Sequence, residues 1–261
     1  MSGMGRREFV ALLGGAAAWP MAARAQQGDR IRRVGVLMPI ARGDLEAQKR
    51  IGAFVQALEK LGWLEGKAVA FEMRYADGKP ERLPALASEL VQANVDVVVT
   101  HAAQPIEAVR RATSTIPIVM ATVGDALGAG YVASLARPGG NVTGLTLFAT
   151  EQSAKRLQLI KEFSPTLVRV AVLWNANASG HRLQMKEMEV AAPSLGIGLQ
   201  SLPIVNASEL DASLQAAGEA HVQAIVTMDD PLIQSQRARI IAHAMGQRLP
   251  VMRRDPAPAH R

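Results

Sequence analysis

The chain has 261 residues, 49% hydrophobic and 20% charged, with no cysteine. That composition is globular, enough for one large or two modest domains, and excludes disorder as the main state. The missing thiols exclude disulfides, zinc ribbons, iron–sulfur clusters, thiol catalysis and cysteine-linked lipid anchors, and with only 3 Trp, 2 Tyr and 5 Phe the core must be built on Ala, Val, Leu and Ile.

The first residues predict an export signal. Arg6 and Arg7 precede an apolar run over 9–19, and Ala23-Arg24-Ala25 places small residues for a cut before Gln26. The run is shorter than the ~20 residues that span a bilayer. Arg6-Arg7 with Phe9 resembles a twin-arginine signal; a general secretory signal is the alternative. A periplasmic address follows, with residues 1–25 removed. The net charge then falls from +6 to +4 with the loss of Arg6, Arg7, Arg24 and Glu8. No long basic stripe with interleaved aromatics is left, so a nucleic-acid partner is not expected.

Next, short β-branched runs alternate with helical stretches. Strands are predicted over 33–39, 68–75, 95–100 and 116–122, with helices over 45–61, 80–92 and 105–113 between them. Ile51, Phe54, Val55, Leu58 and Leu61 form the apolar face of the first helix. The pattern restarts at residue 142. Strands over 142–147, 169–174, 199–205, 224–228 and 249–252 alternate with helices over 152–163, 179–195, 208–220 and, after 228, to about 245. Continuous apolar strands between helices imply parallel sheets covered on both faces. Arg33-Val-Gly-Val-Leu37 matches Arg169-Val-Ala-Val-Leu173. Val98-Val99-Thr100 matches Ile225-Val226-Thr227, and Ile116-Pro-Ile-Val-Met120 matches Leu249-Pro-Val-Met252. Two similar α/β lobes, 30–141 and 142–252, are therefore expected, joined at the turn-rich Arg137-Pro-Gly-Gly-Asn141. The alternative is that buried strands look alike regardless of ancestry.

Ligands of open parallel sheets bind beyond the carboxyl ends of the strands. Those ends are the segments Met38 to Asp44, Thr100 to Gln104, Thr122 to Asp125, Trp174 to Asn177 and Met228 to Asp230. Each has a plainer role. Asp44, Asp125 and Asp230 suit helix caps, Asn175 and Asn177 suit turns, and Trp174 suits packing. His101 is the histidine at a strand end. No phosphate loop, dinucleotide fingerprint or nucleophile elbow is present, and the histidines lack metal spacing. No cofactor and no metal are expected.

Several segments together resemble one family, the substrate-binding proteins of ABC transporters, in the branch with tryptophan- and aromatic-amino-acid-binding members. They are Arg33-Val-Gly-Val-Leu37, Leu61-Gly62-Trp63, Val123-Gly124-Asp125 with Gly128-Ala-Gly130, Arg169-Val-Ala-Val-Leu-Trp-Asn175 and Ala192-Pro-Ser-Leu-Gly196. The most specific is Leu135-Ala-Arg-Pro-Gly-Gly-Asn-Val-Thr-Gly144. The resemblance implies a type I periplasmic binding fold: two Rossmann-like lobes, a hinge, and a small carboxylate or amino-acid-like ligand held between them. Carried over by position, it implies Thr100, Asp125, Asn175 and Asp230 as cleft residues, with Met38, Gln104 and Trp174 near them. It also implies an inner-membrane ABC permease as partner, a monomeric binder and no catalysis. Family members usually continue beyond the strand that 249–252 resembles, in a return segment missing from this chain. Residues 253–261, with two prolines, read instead as an irregular tail. Two other readings follow from the residues: an exported two-lobe enzyme using His101 with Asp125, and a truncated, non-functional remnant.

Overall fold

The computed structural model describes residues 30–253, so the expected export signal and most of the expected tail lie outside the described residues. Five strands form one parallel sheet: β1 (Arg32–Met38), β2 (Val69–Tyr75), β3 (Val97–His101), β4 (Ile118–Val123) and β5 (Val142–Thr146), in the order β2-β1-β3-β4-β5. Four more form a second: β6 (Arg169–Asn175), β7 (Gly198–Ile204), β8 (Ala224–Thr227) and β9 (Val251–Met252), in the order β7-β6-β8-β9. Helices α1 (Leu45–Lys60), α2 (Leu83–Gln92) and α3 (Ala103–Ala112) connect the first sheet. Helices α4 (Gln152–Phe163), α5 (Ser179–Ala191), α6 (Leu210–Glu219), α7 (Pro231–Ser235) and α8 (Arg237–Gly246) belong to the second half. The single helix expected between 228 and about 245 is two helices, broken at Gln236 (φ −96°, ψ 7°).

The repeat seen in the sequence is a repeat of register. Val34, Gly35, Val36 and Leu37 pair with 97–100, and Val170, Ala171, Val172 and Leu173 pair with 224–227, so Leu37 faces Thr100 as Leu173 faces Thr227. Side chains alternate between sheet faces with period two. Leu37, Val98, Ile118 and Met120 pack under α2 and α3, while Val34, Val36 and Met38 pack toward Ile51 and Phe54 of α1. In the second sheet Ala171, Leu173 and Ile225 pack under α6, α7 and α8, while Val170, Val172 and Val226 pack under α4 and α5. The α1 face of the first sheet thus carries one helix where the matching face of the second carries two. Phe71, Met73, Val97 and Val99 there are only partly buried.

The boundary expected between 141 and 142 is displaced. Residues 142–146 do not begin the second sheet: β5 pairs with β4, Ile118 with Val142 and Met120 with Gly144. The chain changes sheet after Thr146, across residues 147–151. The Arg137–Asn141 turn instead delivers β5 to the edge of the first sheet, where Asn141 Nδ2 donates to the Ile116 carbonyl at 2.9 Å. Gly144 explains the strand's composition. Its φ is +141°, and a Cβ there would lie 2.1 Å from the Met120 carbonyl oxygen.

Candidate functional site

A cavity of about 410 Å³ opens at the carboxyl ends of β1, β3 and β4 and is closed by the start of α7 from the other lobe. Its volume lies in the range of small-molecule sites. Val36, Met38 and Val99 of the sheet, with Ile51 and Phe54 of α1, make an apolar wall. This is the sheet face that carries a single helix, and the room left beside α1 becomes the cavity. Polar groups gather at the strand ends and across the lobes: Arg50, Thr100, His101 and Thr122 on one side, Asp229, Asp230 and Gln234 on the other.

β3 ends on a register shift between Thr100 and His101, which re-aims the strand end at the cavity. Thr100 is buried and donates Oγ1 to the Leu37 carbonyl at 2.7 Å, tying β3 to β1. His101 is 8% exposed, and its Nε2 sits 3.5 Å from Arg50 Nη1. Arginine can only donate, so Nε2 accepts and the ring proton is on Nδ1. Burial, reinforced by the Arg50 charge, lowers the His101 pKa from 6.5 to about 4. Thr122 Oγ1 is buried on the cavity wall without a hydrogen-bond partner among the described residues.

Ala102 leaves β3 with φ +66° and ψ 162° before α3 begins. That region is essentially confined to glycine and costs roughly 1–3 kcal/mol for other residues. Strain of this kind persists where the surrounding structure over-determines it, and here it lies on the cavity lining. Ala102→Gly is expected to relieve it. Allowing for the extra freedom of an unfolded glycine, the gain is about 1 kcal/mol, or about 2–4 °C in the melting midpoint for a chain of this size. A lower midpoint in a thermal melt would refute the strain.

In the second lobe Asn175 is fully buried. Its Nδ2 donates to Asp230 Oδ1 at 3.0 Å, and its Oδ1 accepts from the Asn177 N–H at 2.9 Å. Asp230 caps α7, accepting the Leu232 N–H on the same Oδ1 at 2.8 Å. Burial pushes the Asp230 carboxyl up, against the opposing pull of His181 and of these donors.

Of the residues expected from sequence, Met38, Thr100 and Asp230 line the cavity, and Asn175 stands behind Asp230. Gln104, Asp125 and Trp174 are not in its lining. Gln104 lies in the first turn of α3. Asp125 closes a turn instead, accepting the Gly128 N–H at 2.8 Å and the Thr150 hydroxyl at 2.7 Å. Trp174 packs on the second sheet and donates Nε1 to Ser201 Oγ at 2.9 Å. The catalytic pair imagined for an enzyme is not assembled: His101 faces Arg50, while the Asp125 carboxylate is engaged in its turn. Asp229 falls in the strand-end segment 228–230 expected at the cleft, whereas Arg50 and Gln234 were not anticipated. Arg50 carried a signal: a cation beside Ile51, one turn before Phe54, on the apolar face of a helix.

Polar contacts cross between the lobes around the cavity. Arg50 Nη2 reaches Gln234 Oε1 at 3.5 Å, Arg237 faces Asp44 at 3.9 Å, and the Tyr131 hydroxyl meets Ser179 Oγ at 3.1 Å. No helix of the described residues is long and apolar enough to cross a membrane, and among them no cluster of His, Asp or Glu could hold a metal.

The chain is similar to a tyrosine-binding protein of Clostridioides difficile, 25% identical over 222 residues, covering 85% of this chain and 63% of that relative's length. Its fold matches the ABC domain of Streptococcus pneumoniae in complex with L-Trp, with TM-score 0.76 at 22% identity, over 87% of this chain and 75% of that one. It also matches a conserved domain protein of Vibrio cholerae, with TM-score 0.78 at 28% identity, over 86% and 74% of the two chains. The α/β architecture with two parallel sheets is therefore that of the periplasmic binding proteins, as expected. Residues 33–261 match the ABC transporter substrate-binding protein family, whose members bind rather than catalyse; the chain belongs to that family.

Proposed function

We propose that this protein is the solute-capturing component of an ABC importer. It works as a monomer in the periplasm, after removal of residues 1–25, and delivers its ligand to an inner-membrane permease. The ligand is a small amino-acid-like molecule carrying a carboxylate and an apolar, aromatic body. The observation that carries this reading is the cavity itself. It joins an apolar wall of Met38, Ile51, Phe54 and Val99 to a cation, Arg50, and to two carboxylates across the lobes. An apolar pocket with a few placed polar groups orients one small molecule and has no need of reactive chemistry. The unused Thr122 hydroxyl offers one more hydrogen bond. Similarity to a tyrosine-binding relative and to a fold observed with L-Trp supports the choice of an aromatic amino acid.

A thermal melt with a panel of amino acids and related carboxylates tests it. Ligand at 100 times its dissociation constant adds about 2.7 kcal/mol. For a chain of this size that raises the midpoint by about 5–10 °C. Aromatic amino acids are expected to produce the shift and sugars to produce none. A cooperative melt that no member of the panel moves would remove the assigned ligand class.

A further inference from the structure

Three side chains form an unbroken polar chain across the cavity. Arg50 donates to Gln234 Oε1 at 3.5 Å, and Gln234 in turn donates Nε2 to Asp229 Oδ1. All three line the cavity, Arg50 from the first lobe and the other two from the second. Neither Arg50 nor Asp229 is in an ion pair among the described residues. A single neutral amide therefore stands between a full cation and a full anion, showing its oxygen to the guanidinium and its N–H to the carboxylate. That is the polarity of an α-amino acid head, whose carboxylate and ammonium branch from one carbon. Asp230, the other acid in the cavity, is committed elsewhere: its Oδ1 accepts from both Asn175 and the Leu232 N–H.

We propose that Gln234 is an internal stand-in for the head group of a zwitterionic ligand. The ligand's carboxylate takes the place of Oε1 on Arg50, and its ammonium takes the place of Nε2 on Asp229. Gln234 is displaced toward water, and the ligand's apolar body then points at Phe54, Ile51 and Met38. The exchange favours the ligand, because two hydrogen bonds between opposite charges replace two in which only one partner is charged, one of them long at 3.5 Å. The displaced amide loses little, since Gln234 is half-buried on the short α7 and can hydrogen-bond water. This rests on the reading that the cavity holds an amino-acid-like solute. It adds which residue reads which end, and it makes Gln234 a competitor of the ligand.

Isothermal titration with three probes tests it: L-tyrosine, tyramine, which lacks the carboxylate, and 3-(4-hydroxyphenyl)propionate, which lacks the ammonium. The unaltered protein is expected to prefer L-tyrosine to either by at least ~10-fold, about 1.4 kcal/mol. Arg50→Gln should abolish the preference over tyramine while keeping that over the propionate, and Asp229→Asn should do the reverse. Gln234→Ala should bind L-tyrosine several-fold more tightly. Circular dichroism and melting midpoints of the three variants control for folding; Asp229 is exposed and the other two are half-buried. Weaker binding of L-tyrosine by Gln234→Ala overturns the proposal, since Gln234 would then be a ligand contact rather than a placeholder. So does an unaltered protein that binds the three probes equally, or a variant that keeps the original preferences; in those cases the cavity remains a ligand site. If the unaltered protein binds none of the three, the assigned ligand class falls and this proposal with it.

Discussion

Replacing Gly144 by alanine is expected to cost about 4 kcal/mol or more, among the largest effects a single methyl group can have. The Cβ would sit 2.1 Å from the Met120 carbonyl oxygen, 2.7 Å from its nitrogen and 2.8 Å from its carbonyl carbon. All three are backbone atoms of the strand paired with β5, so no side chain can swing aside. The φ of +141° adds strain for any residue with a Cβ. The only relief is separation of β5 from β4. That separation would pull on the Thr146 hydroxyl, which accepts the Ala126 N–H at 3.1 Å, and on Leu147, which lines the cavity. The melting midpoint should fall by about 8 °C or more. Gly140→Ala is the control four residues earlier: nothing lies within 4 Å of its added Cβ, and it should change stability by less than about 0.5 kcal/mol. Equal midpoints for the two variants would refute the clash.

Acidification should destabilise the protein through His101. Its folded pKa is lowered from 6.5 to about 4, first by burial and then by Arg50, so the fold favours the neutral ring. A depressed folded pKa gives stability that is complete above about pH 6.5 and is lost as pH falls through about 4. At 1.36 kcal/mol per pH unit, the loss between pH 7 and pH 4.5 is about 2.5 kcal/mol. Urea denaturation at the two pH values measures it. The unaltered protein should lose that much more than His101→Gln, which has no proton to take up. Identical losses in both proteins would mean that His101 does not set the acid sensitivity.

Strands and helices were legible because burial on both faces demands apolar β-branched runs, and helix α4 begins and ends where its pattern does. The internal repeat was legible down to register, since Arg33–Leu37 and Arg169–Leu173 meet Thr100 and Thr227 in the same way. The lobe boundary was misread because strand order in the sequence says nothing about which edge a strand joins. Residues 142–147 look like the opening of a new unit, and only the close approach of Gly144 to Met120 reveals them as the end of the old one. In the cavity, Met38, Thr100 and Asp230 followed from the rule that parallel sheets bind at their carboxyl ends. Arg50 and Gln234 did not, because they reach the same space from the sides of helices, where a polar residue ordinarily reads as solvent-facing.

The cavity is divided unequally. Of its eighteen lining residues, four (Asp229, Asp230, Pro231 and Gln234) come from the second lobe. Under the function proposed above, a solute arriving from bulk water meets a nearly complete half-site on the first lobe, and the few residues of the second complete the enclosure afterwards. In kinetic terms, the first lobe governs capture and the 229–234 segment governs how long the captured molecule stays. Changes in that short segment should act on the dissociation rate, leaving the association rate to the apolar wall and Arg50. For the carrier proposed above, which must release its cargo as well as hold it, the dwell time is then adjustable at four positions without rebuilding the first-lobe part of the pocket.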